Sequence, residues 1–408
     1  MPIARYLPRF LESTLRRAAR EFPAIVLTGP RQSGKTTLLQ HLFGRTHTYV
    51  SLDPPDVRAA ALTDPRGFLD LYPAPVILDE VQHAPELLSF IKARIDQRRQ
   101  RRGAYVLTGS QNLLIAQHVS ESLAGRAGIF RLLPFSSREA GQRRGTSPIW
   151  QAHPRWTSEP SRHGPGLWQS FVRGCYPELV VETARDAPRW LASYVQTYLE
   201  RDVRLLRQVG DLSLFQSFLR VLAARSGQLL NLADISRDLG MALNTAKAWL
   251  SVLEATYQVV VVRPYFANVG KRLVKTPKVY FTDTGVLCYL MSLGDPVHAA
   301  AGPMAGAIME TAVLGELVKD QLNQGREARI HFWRTSTGSE VDFLLERDAT
   351  VIPIEVKASS TPRPAMAAGI DALRRDLGVR IGPGYVVHAG ERVLPLGGGV
   401  TAVPFGLL

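Results

Sequence analysis

The stretch AIVLTGPRQSGKTTLL, residues 24–39, constrains this chain more than any other. A short apolar strand runs into a loop that fits the spacing G-x-x-x-x-G-K-[ST] from Gly29 to Thr36, and an apolar helix start follows. Such a loop works only between those two elements. Its glycines let successive backbone N–H groups turn inward around phosphate oxygens, and the helix start adds the positive end of its dipole. Lys35 reaches the terminal phosphates of ATP and the Thr36 hydroxyl is placed for Mg²⁺. Gly29, Pro30, Arg31, Gln32, Ser33, Gly34, Lys35, Thr36 and Thr37 are thus the expected nucleotide contacts. The front of the chain is expected to be α/β, on a parallel sheet.

PVILDEVQ, residues 75–82, supplies a second buried strand that ends in Asp79, with Glu80 beside it. Asp79 is positioned for the metal together with Thr36, and Glu80 stands where a residue that polarises an attacking water belongs. Paired acidic residues after a strand are also common as solvated caps, but the strongly apolar strand before these two favours function. TYVSLDP reads as another strand, and so does AYVLTGSQN, with Ser110, Gln111 and Asn112 at its C-terminal end. That end is where ligands sit in open α/β sheets, which makes Ser110 a candidate sensor of the γ-phosphate. Arg126, in the Gly-flanked turn of SLAGRAG, is either a salt-bridged surface residue or an arginine finger that reaches a neighbouring subunit's nucleotide.

With 408 residues, 45% hydrophobic and 21% charged, the chain is long enough for two or three domains with their own cores. Its formal charge of +13 points to a polyanionic partner. That charge is uneven: Lys and Arg number 21 against 12 Asp and Glu in residues 1–150, 17 against 12 in 151–298, and 11 against 12 in 299–408. Only eight of the 49 basic residues are lysines, a bias that coding composition explains without selection. Cys175 and Cys288 stand far apart, in no metal-ligand spacing, which fits a reducing cytosol. No apolar run approaches the roughly 18 residues a membrane helix needs, and the start MPIARYLPRFLESTLRRAAREF has no apolar signal core. A cytoplasmic protein without membrane contact is expected.

Residues 141–168 are polar, rich in Gly, Pro and Ser, and without periodicity, so a long loop is expected there, followed by a helical connector to about residue 210. From Leu232 the sequence reads as helix, turn at Gly240, helix, then strand, the order of a helix-turn-helix with a wing. Ala246, Leu250 and Leu253 are expected to face the core, and Asn244, Thr245, Lys247 and Ser251 to face outward. NVGKRLVKTPKVYF then gathers Lys271, Arg272, Lys275 and Lys278 around a hairpin tip, in a chain that elsewhere avoids lysine. Phosphate contact by these residues, with Lys247, is the preferred reading over a solvated hairpin. The last region offers a helix with Glu310, a strand pair carrying Asp342, Glu355 and Lys357, a second helix and a further strand. Two carboxylates and a lysine on paired strands form the metal-holding core of many nucleases; they also arise on solvated strands.

GPRQSGKTTLL, ILDEVQ, VLTGSQNLL, SLAGR and LLPFSSREA, in this order and followed by GCYPE, KRLVKTPKVYFTDTGVL and GSEVDFLL…PIEVK, resemble the AAA+ ATPases of bacteria and archaea that carry a winged helix and a restriction-endonuclease-like domain. The resemblance spans nearly the whole chain. It implies a P-loop AAA+ domain over residues 1–140, a loop and helical lid over 141–210, a winged-helix domain over 211–298 and a restriction-endonuclease-like α/β domain over 299–408. It implies an ATP- and Mg²⁺-dependent motor that assembles as a six-membered ring on branched DNA junctions. In active relatives a helix carboxylate matching Glu310 joins the residues matching Asp342 and Glu355 at Mg²⁺, while the lysine matching Lys357 orients water. Two other readings stay open: an ATP-dependent nuclease, and a nucleotide-switched assembly or signalling protein that never touches DNA. The neutral to acidic charge around the last motif weighs against a free-standing nuclease.

Overall fold

A computed structural model of the chain describes residues 6–109, 122–143, 150, 166–199, 211–265, 275–347, 350–377 and 381–408, with the side chains of 198 and 199 left aside. Ser110, Gln111, Asn112, Lys271 and Arg272 lie outside these residues, as does most of the expected loop at 141–168. The described chain forms two compact units, one running to Phe135 with 255–257 and 321–326 added, the other made of the remainder.

The first unit contains helix α1 (Leu11–Glu21), strand β1 (Ala24–Thr28), α2 (Lys35–Phe43), β2 (Thr48–Ser51), α3 (Pro55–Thr63), α4 (Pro65–Leu71), β3 (Val76–Asp79), α5 (Leu87–Gln97), β4 (Tyr105–Gly109) and β5 (Ala127–Arg131). All five strands are parallel, in the order β2-β3-β4-β1-β5. A parallel sheet is covered on both faces, so its central strands have no polar side to show. All five residues of β1 are buried, and they alternate between two cores. Ile25 and Leu27 pack with Leu11 and Leu15 of α1 and with Leu38, Leu39 and Leu42 of α2. Ala24 and Val26 pack with Leu87, Leu88, Ile91 and Ile95 of α5 on the other side. The P-loop leaves the C-terminal end of β1, the same edge on which β3 delivers Asp79.

The second unit holds an eight-stranded mixed sheet, order β12-β13-β11-β10-β9-β8-β6-β7. Its strands are β6 (Val259–Pro264), β7 (Lys278–Phe281), β8 (Ile330–Arg334), β9 (Glu340–Arg347), β10 (Thr350–Lys357), β11 (Gly384–His388), β12 (Leu394–Gly397) and β13 (Val400–Pro404). Helices Leu232–Asp238 and Leu243–Ala255 precede β6, with Gly240 at φ 64° between them. Ala246, Leu250 and Leu253 are buried while Asn244, Lys247 and Ser251 are exposed, as their spacing requires of one helix face. The β6–β7 hairpin does not stand apart: Arg263 and Pro264 pair with His331 and Phe332 of β8. The long helix Ala305–Asn323 and helix Ala368–Leu377 complete the region.

Lys278 departs from its expected place. It is not at an exposed hairpin tip but is the first residue of β7, 3% exposed, with its ammonium 5.5 Å from the Phe332 ring centre. The lysine cluster in the sequence straddles the entry to a strand, and strand alternation carries Lys278 inward while Lys275 stays exposed.

The same unit explains two motifs whose purpose the sequence leaves unstated, GCYPE and TDTG. Asp283 is buried, caps helix Thr284–Leu290 by accepting from the Val286 N–H at 3.1 Å, and accepts from the Cys175 N–H at 2.8 Å. A Cβ at Gly174, whose φ is 82°, would lie 2.5 Å from Asp283 Oδ1, so only glycine lets the two segments close on each other. Asp283→Ala leaves both N–H groups without an acceptor, a loss on the order of 3 kcal/mol. Thermal unfolding followed by circular dichroism is expected to shift down by several degrees in this variant, and further in Gly174→Val; an unchanged midpoint for Asp283→Ala would show that the clamp contributes nothing.

Candidate functional site

The nucleotide loop is built by backbone turns that the sequence permits at few places. Gly29 has φ 152°, Gln32 59° and Gly34 90°, and a Cβ on Gly29 would meet the Leu132 carbonyl oxygen at 2.1 Å. Left-handed turns followed by the start of α2 make a concavity suited to an anion. The Ser33 hydroxyl inside it is buried and bonds to no other protein group. Lys35 is buried at the start of α2, and its Nζ donates to the carbonyls of Gly29 at 3.0 Å and Pro30 at 2.9 Å. Its ammonium is thereby held against the loop's own backbone. These features fit the triphosphate of ATP.

Sequence reasoning missed the residue that braces the loop from behind. Arg9, 6% exposed, donates through Nη1 to the Ser33 carbonyl at 2.9 Å and through Nη2 to that of Leu133 at 2.6 Å, with its guanidinium 4.4 Å from the Phe135 ring centre. Nothing in an arginine-rich N-terminal stretch distinguishes this one. Behind the loop, the Thr28 hydroxyl meets that of Tyr257 at 2.8 Å.

The metal side of the site converges on Asp79. Its Oδ2 accepts from the Thr36 hydroxyl at 2.8 Å and from the Tyr49 hydroxyl at 2.7 Å, and its Oδ1 from the Glu80 N–H at 3.1 Å. Burial pushes the Asp79 carboxyl up, and the bonds from Tyr49 and Thr36 pull it back. Burial, then the bond to Asp79, raises the Tyr49 hydroxyl. Thr36 and Asp79 fit the role of holding Mg²⁺. Glu80 sits in the left-handed region, φ 57°, which for a residue with a Cβ costs roughly 1 kcal/mol or more and concentrates at functional sites. Its carboxylate accepts from the Gln82 side chain. Sequence reasoning found Thr36, Asp79 and Glu80 but neither Tyr49 nor Gln82.

Arg126 is brought elsewhere. Its Nε and Nη2 form a two-pronged pair with Asp96 of α5, at 2.7 and 3.0 Å. Of its two expected roles, the salt-bridged surface residue is the one seen within a single chain.

In the second unit Glu310, Asp342, Glu355 and Lys357 do come together, in one cleft shared with Lys278, Glu340 and Arg334. Lys278 pairs with Glu340 and lies 3.9 Å from Glu310, which also accepts from the Tyr280 hydroxyl at 2.8 Å. Arg334 lies 3.1 Å from Glu340, Lys357 2.5 Å from Glu355, and Asp342 accepts the Val356 N–H at 2.8 Å. Burial, and after it the Asp342 charge, raises Glu310 to about 7 and Glu355 to about 8. Burial alone would lower Lys278, but Glu310, Asp342 and Glu340 outweigh it and raise it instead. One Glu355 oxygen, Oε2, is buried without a partner, yet among the described residues no group of three or more acidic, His or Cys side chains is arranged to hold a metal ion. Lys278 lies against Glu310 and Glu340 and Lys357 against Glu355, so these carboxylates are paired with lysines rather than gathered as an Mg²⁺ site.

Three stretches of the chain match known family models. Residues 21–141 match the model of an AAA domain, residues 165–297 that of a domain of unknown function (DUF8612), and residues 305–408 that of another (DUF4143). A Walker-type ATPase of Pyrococcus abyssi is 15% identical with a TM-score of 0.45, over 71% of this chain and 98% of that one. The RuvB Holliday junction branch migration motor of Thermotoga maritima is 16% identical with a TM-score of 0.28, over 61% of this chain and 88% of its own. Values this low carry no argument about function. Among described residues, no helix is long and apolar enough to cross a membrane. The uncharacterized proteins Rv2008c of Mycobacterium tuberculosis and Mb2031c of Mycobacterium bovis are each 30% identical over 394 residues, which cover 96% of this chain and 82% of theirs. The chain carries an AAA domain of the ATPase type and belongs to the same family as these mycobacterial proteins.

Proposed function

We propose that this chain is a Mg²⁺-dependent ATP hydrolase that works on DNA as a six-membered ring, with branched junctions as its preferred substrate. The observation that carries the ATPase part is the meeting of Thr36 and Tyr49 on Asp79, beside a strained Glu80. Bound Mg²⁺·ATP supplies the transferable phosphoryl group and the metal charge that stabilises its transfer. With it bound, Lys35 would turn from the Gly29 and Pro30 carbonyls to phosphate oxygens, Thr36 and Asp79 would hold the metal, and Glu80 would orient and polarise the attacking water. Ser110 is assigned as sensor of the terminal phosphate from its sequence position directly after β4. Lys35→Ala is expected to weaken nucleotide binding, and Glu80→Gln to bind nucleotide while losing about a hundredfold or more in turnover. Parental turnover by Glu80→Gln would sink the assignment.

The ring part rests on Arg126. To reach a neighbour's nucleotide it must leave Asp96, an exposed and solvent-screened pair of the kind that contributes little, so subunit contact can open it. Arg126→Ala should cut turnover without a matching loss of nucleotide affinity, Asp96→Ala should not, and mixing Arg126→Ala with Lys35→Ala subunits should restore part of the activity. No recovery in the mixture would mean that Arg126 serves its own site or none.

The DNA part is supported by the basic excess of the first two regions and by exposed Lys247 and Lys275, with Lys271 and Arg272 assigned from sequence. A winged helix is our reading of the segment 211–298 and a restriction-endonuclease-like core that of 299–408. The nuclease alternative loses ground because Lys278 lies 3.9 Å from Glu310 and Lys357 2.5 Å from Glu355, and no group of acidic side chains among the described residues is arranged to hold a metal. Forked DNA incubated with the full chain in Mg²⁺ or Mn²⁺ should stay intact or be cut only weakly; metal-dependent cleavage abolished by Asp342→Ala would overturn this. The cluster has a second signature. Because Glu310 and Glu355 are raised to about 7 and 8, the folded chain holds more protons than the unfolded one from the ordinary glutamate range up to those values. Their stabilisation is therefore full at low pH and lost as pH rises through about 7 to 8. The unfolding midpoint should fall between pH 6 and roughly 8.5, and Glu355→Gln should flatten that fall.

A further inference from the structure

We propose that a cleft in the first unit, at the sheet edge opposite the nucleotide loop, binds the phosphate backbone of nucleic acid. This deepens the DNA reading above and rests on it. The P-loop and Asp79 leave the C-terminal ends of β1 and β3, whereas this cleft, of 680 Å³, opens where Ala74 leads into β3 and where Ala104 and Tyr105 begin β4. Arg66 of α4, Arg94 of α5, and Arg98 and Arg101 beyond it line the cleft, with Phe90 among them.

The charge there is unbalanced. Five of the nine residues 94–102 are arginines, and the one carboxylate among them, Asp96, is taken by Arg126. Asp70 on the cleft wall is taken by Arg94 at 2.6 Å, and Arg94 is fixed further by donating to the Leu69 and Arg66 carbonyls at 2.9 and 3.0 Å. Arg101 donates to the Ala74 carbonyl at 2.7 Å. Arg66, Arg98 and Arg101 have no carboxylate within ion-pair distance among the described residues, and Arg99 and Arg102 stand exposed beside them. Coding bias explains why these are arginines rather than lysines, but not why they gather around one concave surface. Guanidinium groups held together without counter-charge repel, and a polyanion relieves that repulsion with release of its own counter-ions. The cations come from two helices and the turns that follow the second, a spread that suits successive phosphates of a strand better than one small anion, and Arg forks match phosphate oxygens. The contacts proposed are to phosphates, so binding is expected to be independent of sequence.

The test is fluorescence anisotropy of a labelled forked DNA with the full chain across a salt series. Arg66→Ser, Arg98→Ser and Arg101→Ser together are expected to reduce the slope of log affinity against log salt by about three, near one for each lost phosphate contact. The matching triple lysine variant should keep most of the slope, which separates charge from folding. If the parent binds and the serine variant binds with an unchanged slope, the cleft is not the site while the DNA reading stands. If the parent binds no nucleic acid at all, that reading fails and this one with it. A serine variant that keeps its DNA slope but loses self-association by sedimentation would assign the cleft to an acidic face of a second copy and overturn the proposal.

Discussion

The parallel register of β1, β4 and β3 is the constraint on which the nucleotide site depends. Thr28, the last residue of β1, lies opposite Gly109 of β4, and Leu78 of β3 lies opposite Leu107. Along the strands the Asp79 position is therefore within about one residue's rise, roughly 3.3 Å, of Thr28, the residue before the P-loop, with a single strand between. That spacing lets the Thr36 hydroxyl, on the first turn of α2, close to 2.8 Å on Asp79. A two-residue slip of β3 against β4 keeps the same side chains facing inward but moves the carboxylate by roughly 6.6 Å, beyond the reach of a threonine. Burial on both faces forbids such a slip, because β1, β3 and β4 have each fitted their residues to two cores at once.

Asp79 also shows how a buried carboxylate is kept in place without a full counter-charge. It is 4% exposed, and burying a charge costs several kcal/mol unless its lone pairs are occupied. Two hydroxyls and a backbone N–H occupy them. Tyr49 pairs with Ile77 in the parallel β2–β3 register, two residues before Asp79, and its long ring spans that step. The same solution appears in the second unit with Asp283 and its backbone N–H groups. The carboxylates around Lys278 are handled differently. There the partners are whole charges, and ion pairs of this kind offset desolvation only when each member is matched. Glu355 Oε2 is left unmatched, and burial, with the Asp342 charge after it, tips that carboxyl towards its protonated form.

The P-loop, Asp79 and Glu80 are legible in the sequence because each sits where an apolar strand stops, and a run of Val, Ile and Leu that ends abruptly in Gly or Asp marks the edge of a buried sheet. The helix-turn-helix positions are legible for the same kind of reason: Ala246, Leu250 and Leu253 repeat at helical spacing, and all three are buried. Tyr49 is not, because a tyrosine in a short strand is ordinary and its role depends on which strand lies beside it. Arg9 is hidden among other arginines; its value comes from two carbonyls, of Ser33 and Leu133, far apart in sequence. Lys278 misleads because four cations in eight residues look like one surface. Charge density along a chain does not say which residue a strand will turn inward.

The same limit governs where the basic excess of the first region acts. In a chain whose codons favour arginine, a count of cations is weak information, and pairing decides which of them act. Arg9 spends its charge on carbonyls and a ring, Arg94 and Arg126 on aspartates. Once these are set aside, Arg66 and the four arginines of residues 98–102 gather at one rim, while Arg16, Arg17, Arg20 and Arg45 stand exposed elsewhere. Stability alone gives no reason to concentrate charge at that rim, since like charges held close weaken the fold. Such an arrangement persists where an anion from outside the chain completes it, and this is why the cleft, rather than the charge count, carries the case for a nucleic-acid contact.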